Sequence, residues 1–152
     1  MFTHILVPLD GSEYSERAVE PARSLAEKYG ASITLLTVML WFPESKLQVP
    51  IVDQRSEERG QRYLADVRAI KMGTAAVPVA LVTKLGTPAE SIVECATESQ
   101  ADLIVMSTHG TTGTRYSLGS AAWKILPDAP CPVLLLPVPR PPARDVADQE
   151  RY

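Results

Sequence analysis

The sequence is poor in cysteine and contains no long apolar run. Its 152 residues include two cysteines, and neither a CxxC spacing nor a nearby pair of histidines accompanies them, so a zinc site is not indicated. We expect Cys95 and Cys131 to be buried, reduced thiols, which suits a cytoplasmic location. No segment approaches the roughly 20 apolar residues of a membrane span, and the N-terminal segment is too short and too polar for a signal peptide.

The sequence also lacks any run of lysine and arginine. Its 15 basic and 18 acidic residues give a net charge of −3, which argues against a nucleic acid or an anionic membrane as partner. The length suits one domain. A chain of this size buries roughly 68–70% of its unfolded surface, so it can form a core without metal or disulfide support.

What the sequence does contain is a regular alternation of short apolar runs and amphipathic segments. The runs predict strands at residues 5–9, 32–39, 77–85, 102–106 and 133–136, because apolar runs bounded by turns are typical of strands covered on both faces. Helices are predicted between them, at residues 12–29, 53–72, 88–100 and 120–126. The alternation predicts an α/β fold, a single doubly wound five-stranded parallel sheet.

Several residues predict how these helices begin and end. Ser12 is expected to cap the first helix, Pro21 to kink it and Gly30 to end it in a left-handed conformation. Thr87 and Glu90, with a proline between them at the first helical position, form a predicted capping box.

The second predicted helix has an apolar face and follows a long loop. The face consists of Tyr63, Leu64, Val67 and Ile70, and Gly73 ends the helix. The preceding loop, residues 40–52, contains the aromatic pair Trp41 and Phe42, for which a lid, a dimer contact and a cover over the local core all remain open.

In an open parallel sheet, ligands bind at the carboxyl ends of the strands where the strand order reverses. Asp10 ends the first predicted strand, where it can contact a ligand or form a turn. Residues 107–120 follow the fourth strand and contain Gly110, Gly113 and Gly119. Glycines let successive N–H groups surround an anion, and Ser120 begins the next helix, where its hydroxyl could contact a phosphate or cap the helix. We therefore predict a phosphate-binding loop, with an ordinary surface loop as the alternative.

The residues give little support for catalysis. The loop is neither a Walker A motif nor GxGxxG, and no paired carboxylates or activated nucleophile are evident. His109 has no partner to orient it, so we expect a loop hydrogen bond. Arg115 is expected to be solvated in preference to pairing with a phosphate, and His4 to be structural. A dedicated enzyme is therefore not predicted.

Three segments carry a resemblance to a known family: ILVPLDGSEYSERAVEPARSLAEKYGASITLLTV, LGTPAESIVECATESQADLIVMSTHG and GSAAWKILPDAPCPVLLLP. Over residues 1–137 the chain resembles the universal stress protein family. The resemblance implies strand order 3-2-1-4-5 and an adenine nucleotide alpha-hydrolase-like fold. The ATP-binding branch has the loop pattern Gly-x2-Gly-x9-Gly-Ser/Thr. Ser107, Gly110, Gly119 and Ser120 match its positions, with Ser107 in place of the first glycine and eight residues in the second gap.

The resemblance implies ATP as ligand, at most slowly hydrolysed, and a divalent Mg or Mn ion could accompany its phosphates. It also implies a homodimer formed through residues 133–136. The Pro-rich tail, residues 138–152, cannot bury enough apolar surface to order itself. The predicted function is a nucleotide-dependent regulatory or stress-response module; the alternative is a dimeric protein-interaction module that has lost ATP and docks through its tail. The resemblance, together with the phosphate-binding loop predicted above, implies the following nucleotide-binding residues: Pro8, Leu9, Asp10, Val38, Met106, Ser107, His109, Gly110, Gly113, Gly119, Ser120 and Ala121.

Overall fold

Five strands form one parallel sheet with the order β3-β2-β1-β4-β5 in the computed structural model, which confirms the predicted fold. The strands are β1 (His4–Leu9), β2 (Ser32–Leu40), β3 (Val79–Gly86), β4 (Leu103–Ser107) and β5 (Val133–Leu136). The structure describes residues 1–40, 54–74, 76–109 and 119–138. Outside these ranges lie most of the predicted loop 40–52 with Trp41 and Phe42, the loop residues Gly110, Gly113 and Arg115, and the tail from residue 139.

Helices cover both faces of this sheet. They are α1 (Glu13–Glu16), α2 (Val19–Tyr29), α3 (Gln54–Val67), α4 (Pro88–Glu98) and α5 (Ser120–Ile125). Successive residues of a strand point to opposite faces, so Ile5 and Val7 of β1 pack with α2 and α3, while Leu6 packs with α4 and α5. All three side chains are fully buried, which explains why β1 consists almost entirely of apolar residues.

The first helical segment is two helices, and the predicted kink at Pro21 is wrong. Ser12 caps α1 as predicted, since its hydroxyl accepts from the Ser15 N–H at 3.1 Å. The helix stops at Arg17 because the ring of Pro21 would clash with the Arg17 carbonyl in a continuous helix. Pro21 then lies in the first turn of α2, where a missing N–H costs little. Gly30 ends α2 with φ of 69°, as predicted.

The predicted position of Ile70 on the buried face is wrong. After Val67 the chain continues as a π-helical turn, Arg68–Met72, which places more residues in each turn than an α-helix does. Ile70 is consequently 76% exposed, and Met72, five positions after Val67, is buried in its place.

The predicted capping box at Thr87 forms only in part. Pro88 occupies the first helical position as expected, but the Thr87 hydroxyl donates to the Glu90 carboxylate at 2.6 Å and makes no bond to a backbone N–H. The strand before it, β3, begins two residues later than predicted.

The two cysteines are free thiols with different exposure. Cys95 is buried in α4, whereas Cys131 is only partly buried, so the expectation of two buried thiols holds for the first alone. Burial raises the pKa of both thiols, which keeps them protonated at neutral pH. Within the described ranges, no helix is long and apolar enough to cross a membrane.

Candidate functional site

A small cavity lies at the carboxyl ends of β1, β2 and β4, where the strand order reverses. Its volume is about 90 Å³. Of the ten predicted site residues that the structure describes, eight line the cavity: Pro8, Leu9, Asp10, Val38, Met106, Ser107, His109 and Ala121. The remaining two, Gly119 and Ser120, lie just beside it at the start of α5.

Three lining residues were missed from the sequence: Ser15, Pro88 and Ile92. They come from α1 and α4, and not from strand ends. Pro88 could have been found, because the helix after β3 begins at the same edge of the sheet as the other strand ends. Ser15 and Ile92 depend on how their helices pack, which no local pattern reveals.

Asp10 forms the turn, one of the two roles that the sequence left open for it, and it also lines the cavity. Its Oδ1 accepts from the Ser12 N–H at 2.9 Å and from the Ser12 hydroxyl at 2.5 Å, which forms the turn between β1 and α1. Gly11 makes this turn possible with φ of 83°. The Asp10 N–H lies 3.2 Å from the Ser15 hydroxyl. The turn therefore holds the Asp10 carboxylate at the exposed rim of the cavity.

On the opposite wall, the chain after β4 is fixed by hydrogen bonds of its own residues. The buried Ser107 hydroxyl donates to the His109 carbonyl at 2.5 Å. His109 Nδ1 lies 2.9 Å from the Thr108 hydroxyl oxygen, so the predicted loop hydrogen bond of His109 is confirmed. These contacts hold both residues in the cavity wall.

Thr108 joins the two ends of the predicted loop to β5. Its N–H donates to the Leu136 carbonyl at 2.9 Å, and its carbonyl accepts from the Gly119 N–H at 2.7 Å. A Cβ at position 119 would stand 2.7 Å from the Thr108 carbonyl oxygen, so glycine is required here for space. We call this arrangement the Thr108 clasp.

Ser120 does not cap α5, which corrects one of its predicted roles. Gly119 occupies the N-cap position without any side-chain cap, and Ser120 is the exposed first residue of the helix. The serine therefore stands beside the cavity mouth with its side chain on the surface.

The charges near the cavity are few. Among the described lining residues the ionisable side chains are Asp10 and His109, and lysine and arginine are absent. In the described part of the chain, no cluster of three or more His, Cys, Asp or Glu side chains could hold a metal ion.

The second histidine, His4, was predicted to be structural and lies at the amino-terminal end of β1. His4 opens β1, with Nδ1 2.7 Å from the Ser32 hydroxyl and Nε2 2.9 Å from the Thr34 hydroxyl. Burial lowers the pKa of His4, although the neighbouring Asp102 carboxylate opposes this effect. The imidazole ties β1 to β2 and does not reach the cavity.

Solved structures share this arrangement of strands. The universal stress protein UspA from Lactobacillus plantarum is 25% identical, with a TM-score of 0.72 over 89% of this chain and 97% of that one. A universal stress protein in complex with cAMP gives a TM-score of 0.70 at 23% identity, over 89% and 97% of the two chains. A universal stress protein from Archaeoglobus fulgidus in complex with dAMP gives 0.62 at 18% identity, over 88% and 97%.

Sequence comparison agrees with the fold. A universal stress protein encoded in the 3′ region of the QAH/OAS sulfhydrylase gene of Thermus aquaticus is 37% identical over 140 residues, which are 90% of this chain and 99% of that protein. A universal stress protein of Methanocaldococcus jannaschii is 34% identical over 146 residues, 92% of this chain and 85% of that protein. The family model described as "Universal stress protein family" matches residues 1–137. With the strand order and the sequence in agreement, the chain belongs to the universal stress protein family.

Proposed function

We propose that this chain binds ATP in the cavity at the carboxyl ends of β1, β2 and β4 and acts as a nucleotide-dependent regulatory or stress-response module. The observation that carries the proposal is the convergence of eight predicted residues, from four separate segments, on one cavity. Family members in complex with cAMP and dAMP support an adenine nucleotide as the class of ligand. Residues 1–137 form the proposed binding domain, and the proposed location is the cytoplasm.

The cavity walls suit a purine base and a ribose. Leu9, Val38, Ile92 and Met106 supply apolar surface, and the backbone at the end of β2 offers polar groups to the base edge. The Asp10 carboxylate at the rim is an acceptor for ribose hydroxyls. Pockets for drug-sized ligands measure about 300–1,000 Å³. The cavity of about 90 Å³ is smaller than this range, so in this proposal it receives only part of the nucleotide, at the base end, and the phosphates lie outside it toward Gly119, Ser120 and the predicted loop residues Gly110 and Gly113.

A metal ion enters this proposal only with the phosphates. Mg²⁺ or Mn²⁺ would bridge phosphate oxygens and keep most of its waters, since the described residues provide no acidic cluster for it. Its chemistry there is charge neutralisation. The proposed turnover of ATP is slow at most.

Calorimetric titration with ATP tests the binding. Mass spectrometry of the denatured protein tests in addition whether a nucleotide co-purifies with it. Ala121→Leu extends a side chain into the cavity and is expected to weaken ATP binding about tenfold or more, equivalent to about 1.4 kcal/mol. Ala65→Leu is the matched control, because Ala65 is an exposed residue of α3. Absence of both heat and a rise in melting temperature at millimolar ATP would reject the proposal.

One observation favours the second candidate, a dimeric protein-interaction module without ATP. The cavity has no described lysine or arginine, so a triphosphate would gain little charge compensation from the residues described. In this case sedimentation would show a dimer that is indifferent to ATP, and Ala121→Leu would leave the assembly unchanged.

A further inference from the structure

A second concave surface lies between α4 and α5, on one face of the sheet. This α4–α5 groove has a volume of about 890 Å³. Its apolar lining includes Pro88, Val93, Trp123 and Pro127. Trp123 is 69% exposed, an unusual exposure for the largest apolar side chain in proteins. Grooves lined by aromatic residues and proline are the surfaces on which Pro-rich segments dock.

The rim of the groove carries more acid than base. Glu90, Glu94 and Asp128 line it, against Lys124 alone. Glu94 already pairs with Lys84, whose Nζ lies 2.6 Å from its carboxylate. Glu90 and Asp128 thus remain as carboxylates able to accept a guanidinium group from outside the domain.

The sequence after β5 has complementary chemistry. Residues 139–144 read PRPPAR, which places prolines three positions apart in a PxxP pattern and adds Arg140 and Arg144. The segment carries two positive charges and no negative ones. Residues 145–152 contain three acidic residues and one arginine, so the positive charge is confined to the proline-rich part.

The end of β5 lies close to the start of α5, although Leu136, Pro137 and Val138 themselves line a different groove. In the Thr108 clasp, the Leu136 carbonyl and the Gly119 N–H both form hydrogen bonds with Thr108. The last residue of β5 and the N-cap residue of α5 are therefore linked through this single residue. Ser120 and Ala121, which follow Gly119, line the groove. An extended proline-rich chain advances about 3.1 Å per residue, which allows residues 139–144 to reach along α5.

A competing surface is less suitable. Pro137 and Val138 border a groove against α1 and α2, lined by Glu16 and Glu20 together with Arg17 and Lys71. The two carboxylates are balanced by two cations there. This groove therefore offers a doubly positive segment no net attraction.

We propose that residues 139–144 of the same chain dock in the α4–α5 groove, with their prolines against Trp123 and their arginines at Glu90 and Asp128. Tethering makes even weak contacts sufficient: at an effective concentration of about 1 mM, a segment with a dissociation constant of about 0.1 mM occupies its site about nine-tenths of the time. The groove and the nucleotide cavity share Pro88 and Ala121, so the docked segment borders the cavity.

Acrylamide quenching of Trp123 fluorescence tests the docking. The chain has two tryptophans, so the measurement uses the full-length protein with Trp41→Phe, compared with the same variant ending at Val138. We expect quenching of Trp123 to increase severalfold when the tail is removed, equally at high and low protein concentration. Equal quenching in the two proteins would overturn the proposal, and protection that disappears on dilution would assign the groove to a second copy and also overturn it.

Two full-length variants keep the tail length constant. Arg140→Glu with Arg144→Glu reverses the charge of the docking segment and is expected to raise quenching to the level of the truncated chain. Arg151→Glu changes an arginine outside the segment and is the matched control, with quenching as in the parent. Protection that survives the double charge reversal would show that another part of the chain covers Trp123 and would refute the assignment of residues 139–144.

Discussion

At the scale of single residues, Gly60 shows how closely α3 approaches the sheet. A Cβ at this position would stand 2.6 Å from Thr83 Cγ2 and 3.2 Å from Thr37 Cγ2. Both threonines are β-branched and have few alternative rotamers, so neither can move away easily. Gly60 therefore allows the helix to lie directly on β2 and β3.

Gly60→Ala is expected to lower the free energy of unfolding by up to about 2 kcal/mol, because overpacking costs about 1–3 kcal/mol and alanine returns about 1 kcal/mol of helix propensity. Urea denaturation measures the change. Adding Thr83→Ala should restore the stability, since it removes the clashing atoms together with a buried hydroxyl that has no hydrogen-bond partner among the described residues. A single variant more stable than the parent would contradict this account.

At the scale of elements, the amino-terminal edge of β1 links three strands through titratable groups. Asp102, just before β4, accepts from the Thr3 hydroxyl and N–H at 2.7 Å and from the His4 N–H at 3.1 Å. Burial alone would raise the pKa of Asp102, but these hydrogen bonds lower it below its ordinary 3.8. The neighbouring His4 imidazole is held neutral by burial, which lowers its pKa below 6.5.

Both shifts make the fold less stable in acid. Each group binds protons more weakly in the folded chain than in the unfolded chain. Its contribution to the free energy of unfolding is therefore complete above its unfolded pKa, and it is lost as the pH falls through its folded pKa. The free energy of unfolding is expected to begin falling below pH 6.5 and to fall further below pH 3.8. Urea denaturation across this range should show the first decrease flattened in His4→Gln and the second in Asp102→Asn. Unchanged slopes in these variants would contradict the assignment.

The strands at the centre of the sheet were predictable because β1 and β4 are buried on both faces. Ile5, Leu6 and Val7 indicate a strand from their own sequence. Because parallel strands end at one edge, Asp10 and the chain after β4 followed from the strand ends, whereas Pro8, Val38 and the other cavity residues were implied by the family resemblance. The helices were less predictable. The break before Pro21 follows from the proline itself, but the π-helical turn that exposes Ile70 depends on how helices pack on the sheet, as do the cavity positions of Ser15 and Ile92.

At the scale of the whole molecule, β5 is an edge strand. Among the described strands it forms hydrogen bonds only with β4. The N–H and C=O groups along a strand edge can form hydrogen bonds with a strand of another chain. Leu134 on this strand is 38% exposed, so the proposed homodimer would cover both the edge and this side chain.

Leu134→Lys is expected to convert the proposed dimer to a monomer, because a lysine on an edge strand opposes pairing and its charge would be buried at the interface. Sedimentation velocity measures the result. Leu85→Lys is the matched control: Leu85 lies on β3, at the other edge of the sheet, and is 42% exposed. Equal loss of dimer in both variants would contradict a β5 interface.

The Thr108 clasp has a consequence for how this protein can change over evolution. Because one residue fixes both ends of the segment between β4 and α5, insertions and deletions within that segment leave the surrounding strands and helices in place. Each doubling of a flexible loop adds only about 0.6 kcal/mol to the cost of closing it. The length of this segment can thus vary without redesign of the sheet that supports it, and under the proposed function such variation would alter the phosphate end of the site.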